Sequence, residues 1–167
     1  MPTPTTSRRT YPRTCVQCGA TRVRPTTIDR EVDVKHDGKV HHVVVRDMPV
    51  ERCGECGETT LGTDADERID AALREHLGLL SPECIRASRV ALGMTQAQLA
   101  GQVGCASETL SRWENGALVQ SRGMDLILRA YFALPSLRAF CAALKRDRTL
   151  GASVVVDDAR GNTPDAA

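Results

Sequence analysis

Most of the chemistry this 167-residue chain can offer lies in its cysteines and in one short polar run. Four of the seven cysteines fall into two pairs, CVQC at Cys15 and Cys18 and CGEC at Cys53 and Cys56, each followed directly by a glycine, Gly19 and Gly57. A CxxCG knuckle sets two thiolates on a tight turn and lets backbone amides face the sulfurs. Two knuckles closed on each other supply four thiolates in a tetrahedral shell, which is how a structural Zn2+ is held. Four sulfur ligands leave no open position for an activated water, so the predicted metal is structural and not catalytic. A redox pair of CxxC motifs would be expected to open a helix within a βαβ unit, and no such pattern surrounds these cysteines. Cys84, Cys105 and Cys141 have no ligand spacing and read as ordinary thiols.

The second chemical stretch is Thr95 to Gly116, TQAQLAGQVGCASETLSRWENG. Thr95 and Gln98 have the spacing of a capping box at the head of a first helix. Gly101 and Gly104 bracket Val103 in a turn. Ser107 is placed to cap a second helix, whose Leu110 and Trp113 share an inner face while Glu108, Ser111 and Arg112 point elsewhere. Two short helices, a glycine turn and outward polar side chains are the layout that sets a recognition helix in the DNA major groove.

Other elements must position these groups. Between the cysteine pairs, Glu31–Val34 and the Val-rich Val40–Val45 flank the turn signature of Lys35–Gly38, which predicts a β-hairpin. His36, His41 and His42 in or beside it could act as ligands, but with four cysteines at hand they read as strand or surface histidines. Residues 15–63 thus form a small β-rich module of zinc-ribbon type. It is poor in large apolar side chains and tied by its metal, whose binding free energy becomes folding free energy. Residues 64–80 have Ile69, Leu73 and Leu77 at helical spacing behind an acidic first turn, and read as a helical linker. Residues 81–146 then hold five helices. The first starts at Ser81-Pro82-Glu83 and ends near Leu92, and the second and third are the motif above. The fourth spans Ser121–Leu134, with Met124, Ile127, Leu128, Tyr131 and Leu134 at helical spacing, and the fifth spans Leu137–Leu144 with Phe140 inward. Residues 1–14 and 147–167 lack periodicity and read as disordered tails, although Val154–Val156 has β character. The expected class is α+β: a four-cysteine β module followed by an all-α domain.

Charge supports this division. The formal net charge is only +1. Lys+Arg exceed Asp+Glu by eight to four over residues 81–146, whereas residues 64–80 carry two against five. A positive excess on the helix-turn-helix segment is the footprint expected of phosphate binding. No apolar run approaches a membrane span and no hydrophobic signal region opens the chain, which points to a cytoplasmic protein with cysteines kept reduced. No nucleophile–base set or phosphate loop suggests an enzyme.

The segment from Ser81 to Leu144, with LGMTQAQLA followed by LSRWENG, resembles a Cro/cI-type helix-turn-helix domain. The order of two CxxC pairs and then that domain resembles the MqsA-type antitoxins of the YgiT-type zinc-finger family, over residues 13–146. The resemblance implies a phosphate contact at Gln96. It turns Ser107, Glu108, Thr109 and Arg112 toward base edges and flanking phosphates, and it pairs Arg89 with Glu114 as a structural brace. Arg112 can fork onto guanine O6 and N7. Glu108 departs from the amide that such antitoxins often carry, and a carboxylate there could accept from cytosine N4. The resemblance further implies a homodimer through the C-terminal domain on a palindromic operator. It also implies repression of the protein's own operon and a ribonuclease toxin bound by the N-terminal module. A stand-alone regulator of the same order, a protein-interaction module and a thiol redox sensor are the alternatives.

Overall fold

The computed structural model describes residues 10–62 and 64–146. Strands β1 (Val23–His36), β2 (Lys39–Cys53) and β3 (Thr59–Leu61) form an antiparallel sheet in that order. Helices α1 (Ala65–Leu77), α2 (Pro82–Ala91), α3 (Gln96–Val103), α4 (Ser107–Glu114), α5 (Arg122–Ala133) and α6 (Pro135–Arg146) follow. The α+β class expected from the sequence is the one observed.

The hairpin turn is where the turn signature placed it. Asp37 and Gly38 both take positive φ, 48° and 74°, as a two-residue hairpin turn requires. The strands run much further than Glu31–Val34 and Val40–Val45, however, and β3 was not foreseen. A register shift between Ile28 and Arg30 explains why. Val43 and Val45 are buried at odd positions, and Met48 and Val50 at even ones. One slipped residue keeps both sets on the same face. The irregularity is held by Asp47, with φ 49° and its amide donating to Asp29 Oδ1 at 3.0 Å.

Helix α1 lies across that face. Ala65 and Leu73 are buried, and Ile69, Ala72 and Leu77 pack around them against Val43, Val45, Met48 and Val50. Its C-terminus stops at Gly78, in the left-handed conformation with φ 64°. The helical domain has its own core of Ile85, Leu99, Ala100, Val103, Leu110, Trp113, Leu128 and Tyr131. Ile127, placed inward by periodicity, is instead 43% exposed beside Leu126 on α5, and Phe140, also expected inward, is 46% exposed on α6. Helix α6 begins at Pro135, two residues earlier than expected, since proline suits a first helical position.

The two cores are joined by polar bonds. Arg74 Nη2 on α1 donates to the carbonyls of Gly116 (3.0 Å) and Leu118 (3.1 Å), just after α4. Asp37 Oδ2 at the hairpin tip accepts from the Arg122 amide at 2.7 Å, at the head of α5. Residues 10–14 are also part of the fold and not a tail. Arg13 bridges Val23, and Tyr11 Oη and Arg13 Nη1 both donate to Glu51 at 2.7 Å. The expectations for residues 1–9 and 147–167, Val154–Val156 included, fall outside the described residues. No single described helix is long and apolar enough to cross a membrane.

Candidate metal centre and nucleic-acid interface

The cysteine knuckles sit at the end of the sheet away from the hairpin turn. In the first, Gly19 N donates to Cys15 O (2.9 Å). In the second, Gly57 N donates to Cys53 O (3.0 Å). Both glycines have positive φ, 74° and 76°, which a side chain would strain. The bridge of Arg13 to Val23 and the bond from Gly54 N to Arg22 O (3.0 Å) bring the knuckles face to face. As a result the Sγ atoms of Cys15, Cys18, Cys53 and Cys56 all lie within 4.8 Å of one another. Cys15 and Cys56 are 3.6 Å apart, and Cys18 and Cys53 3.8 Å. Four sulfurs at about 2.3 Å from a tetrahedral zinc are about 3.8 Å apart, so the donor set fits this ion closely.

Electrostatics point the same way. The Cys53 thiol is lowered to about 7, first by the backbone amide of Cys56 and then by that of Glu55. The amide of Glu58 also pulls Cys56 down. Desolvation and the neighbouring Cys18, Cys15 and Cys53 outweigh it and push Cys56 up to about 12. Four crowded sulfurs thus resist full ionisation until a cation balances them.

The helix-turn-helix is built from its caps. Thr95 Oγ1 accepts from Gln98 N, and Gln98 Oε1 accepts from Thr95 N, completing the capping box. Helix α3 runs through Gly101, and the turn is made at Gly104, with φ 78°. One expected detail is overturned: the N-cap of α4 is Ala106, with no side-chain cap, and Ser107 is the first helical residue. Its hydroxyl is therefore not committed to capping. Leu110 and Trp113 are buried as expected, while Glu108 and Arg112 are exposed and Gln96, Ser107 and Thr109 are half-buried.

Behind α4 stands the brace that the resemblance implied. Glu114 is 4% exposed. Arg89 grips it in a fork, Nε to Oε1 at 2.6 Å and Nη2 to Oε2 at 2.9 Å, and Gln96 Nε2 also donates to Oε2 at 2.8 Å. Burial alone would raise the Glu114 carboxyl, but the bonds from Arg89 and Gln96 outweigh it and hold it below its ordinary range. Sequence reasoning missed the third member of this cluster. Gln96 does not simply face outward, because one N–H of its amide is spent on Glu114 while the other remains. It missed as well the seam donor Arg74, which reads as a solvated charge on an acidic helix.

Fold and site together define a class: a four-cysteine β module carrying a helix-turn-helix domain. The chain belongs to the MqsA family, the antitoxin component of a bacterial toxin–antitoxin system, whose family model matches residues 13–137. Among solved structures, it is similar to NE0471 of Nitrosomonas europaea, provisionally described as a DNA-binding protein. Identity is 11% over 68% of this chain and 95% of that one, with a TM-score of 0.34, too slight a likeness to bear on fold or function. No match was found among curated proteins.

Proposed function

We propose that this protein is a sequence-specific DNA-binding regulator that represses its own operon as the antitoxin of a toxin–antitoxin pair, acting in the cytoplasm. The observation that carries the reading is Arg112. It is exposed on a braced recognition helix, and among the described residues its side chain has no ion pair or hydrogen bond. A free guanidinium there is available to fork onto a guanine. In this reading Glu108 faces the bases beside it, and Thr109 lies at the flank. Ser107 offers its uncommitted hydroxyl and its amide, one of the free N–H groups of a helix N-terminus, to a phosphate. Gln96 offers a phosphate its second amide N–H.

Zn2+ in the four-cysteine centre holds the β module together, and the module is the surface that meets a ribonuclease toxin. A homodimer follows from the half-site that one recognition helix covers. Leu126 and Ile127 on α5, Leu134 between the helices and Phe140 on α6 are exposed, and they supply an apolar surface for it. Arg112→Ala tests the DNA site on duplex from the protein's own promoter. The expected outcome is a loss of about 1–3 kcal/mol in affinity with an unchanged melting curve. Unchanged affinity would remove α4 from the DNA.

A further inference from the structure

A second group of metal-ligating side chains lies away from the cysteines, near the hairpin tip. Strand parity puts His36 on the inner face of the sheet with Val32 and Val34, and His41 on the same face with Val43 and Val45. In the register His41 opposes Val34 and His36 opposes Lys39, so the two histidines are diagonal neighbours. The apolar row under α1 therefore ends in two imidazoles. His76, in the last turn of α1, adds a third. Ring centres are 6.5 Å apart for His36 and His41, and 5.9 Å for His41 and His76.

One atom of this cluster lacks a purpose in the fold. His36 Nε2 is shielded from solvent and has no hydrogen-bond partner among the described residues, with Asp37 Oδ2 at 3.7 Å, beyond hydrogen-bond reach. A buried unpaired nitrogen calls for a bound water or ion. Asp70 on α1 lies within electrostatic reach of His36 and provides negative charge beside the cluster. Two imidazoles on one tetrahedral ion, with nitrogen at about 2.0–2.1 Å from the metal, have ring centres about 5 Å apart. The rings of His36 and His76 each need to approach that of His41 by only about 1 Å, within the swing of a histidine side chain. Among the described residues the four cysteines alone have donor atoms already gathered, so the histidine site is one that closes on its ion.

We propose that His36, His41 and His76 form a second metal site, for a divalent first-row ion that favours imidazole nitrogen, with water completing the shell. Neutral imidazoles hold such an ion less tightly than four thiolates do, so it exchanges while the cysteine-bound metal stays. The ion ties the hairpin tip to the end of α1, and the same tip meets α5 through Asp37 and the Arg122 amide.

The test is equilibrium dialysis of the untagged full-length chain, its cysteines loaded with zinc, against Ni2+, with both metals counted. One nickel per chain beyond the retained zinc is expected. His41→Gln and His76→Gln should each lose the nickel and keep the zinc, the retained zinc showing that the fold survives. His42→Gln should keep both, since His42 is on the outer face, paired with Asp33. No nickel uptake, nickel replacing zinc one for one, nickel retained in His41→Gln or in His76→Gln, or nickel lost in His42→Gln would each overturn the proposal.

Discussion

Glu114 closes α4 with its carboxylate out of contact with water, and the side chains of Arg89 and Gln96 bond to it. Arg86 adds a longer contact at 3.8 Å. The Arg89 guanidinium also donates to Met94 O at 2.7 Å, so one residue fixes both the end of α2 and the end of the recognition helix. Removing the acid leaves a largely buried guanidinium unpaired, and Glu114→Ala should cost about 3 kcal/mol in chemical denaturation. The pH dependence follows from the lowered carboxyl. The brace stabilises the fold fully above the ordinary value of 4.5, and its contribution is lost as pH falls through the lower folded value. Glu114→Gln should therefore show a flatter acid limb than the parent protein, and an equally steep limb would assign the dependence to other groups.

At the scale of elements, the knuckles and the capping box of α3 were legible because their chemistry is local, whereas the cap expected at Ser107 was not found. Cys15 and Cys18, Thr95 and Gln98, and Asp37-Gly38 all act over two or three residues, and each was found where its spacing placed it. What depends on register was not legible. Alternation across Arg46 and Asp47 breaks phase, so β2 read as a short strand, and the pairing that restores the phase appears only once Asp29 meets the Asp47 amide. His36 and His41 share parity with the valines of their strands, but which face α1 covers appears only in the fold. In the proposed reading the β module depends on its metal, since at that end only Cys15, Val23 and Cys53 form a buried cluster among the described residues. Chelation, or Cys53→Ser, should remove amide-exchange protection from residues 13–24 and 50–61 while the α2–α5 core keeps its own. Protection that survives metal removal would make the metal incidental to folding.

In the whole molecule the two cores are joined by particular polar groups. Arg74 is buried, and desolvation lowers its guanidinium while Asp70 and Glu83 oppose that shift. It caps the carbonyls of the loop that follows α4. Loss of a buried charged donor typically costs about 1.5–3 kcal/mol, so Arg74→Ala should destabilise by about that much and raise exchange at the amides of residues 116–120. Sequence alone could show the order of the modules but not this seam, since one arginine of an acidic helix carries no periodic signal.

The proposed function requires that the helix-turn-helix domain read DNA. The most direct measurement is the affinity of the full-length, metal-loaded protein for duplex from its own promoter as salt is raised. Affinity should fall linearly on a log–log plot, with a slope of about −0.9 for each phosphate neutralised, and should exceed that for unrelated duplex by about a thousandfold or more. Weak binding with no preference for the promoter, or an affinity that does not respond to salt, would contradict it.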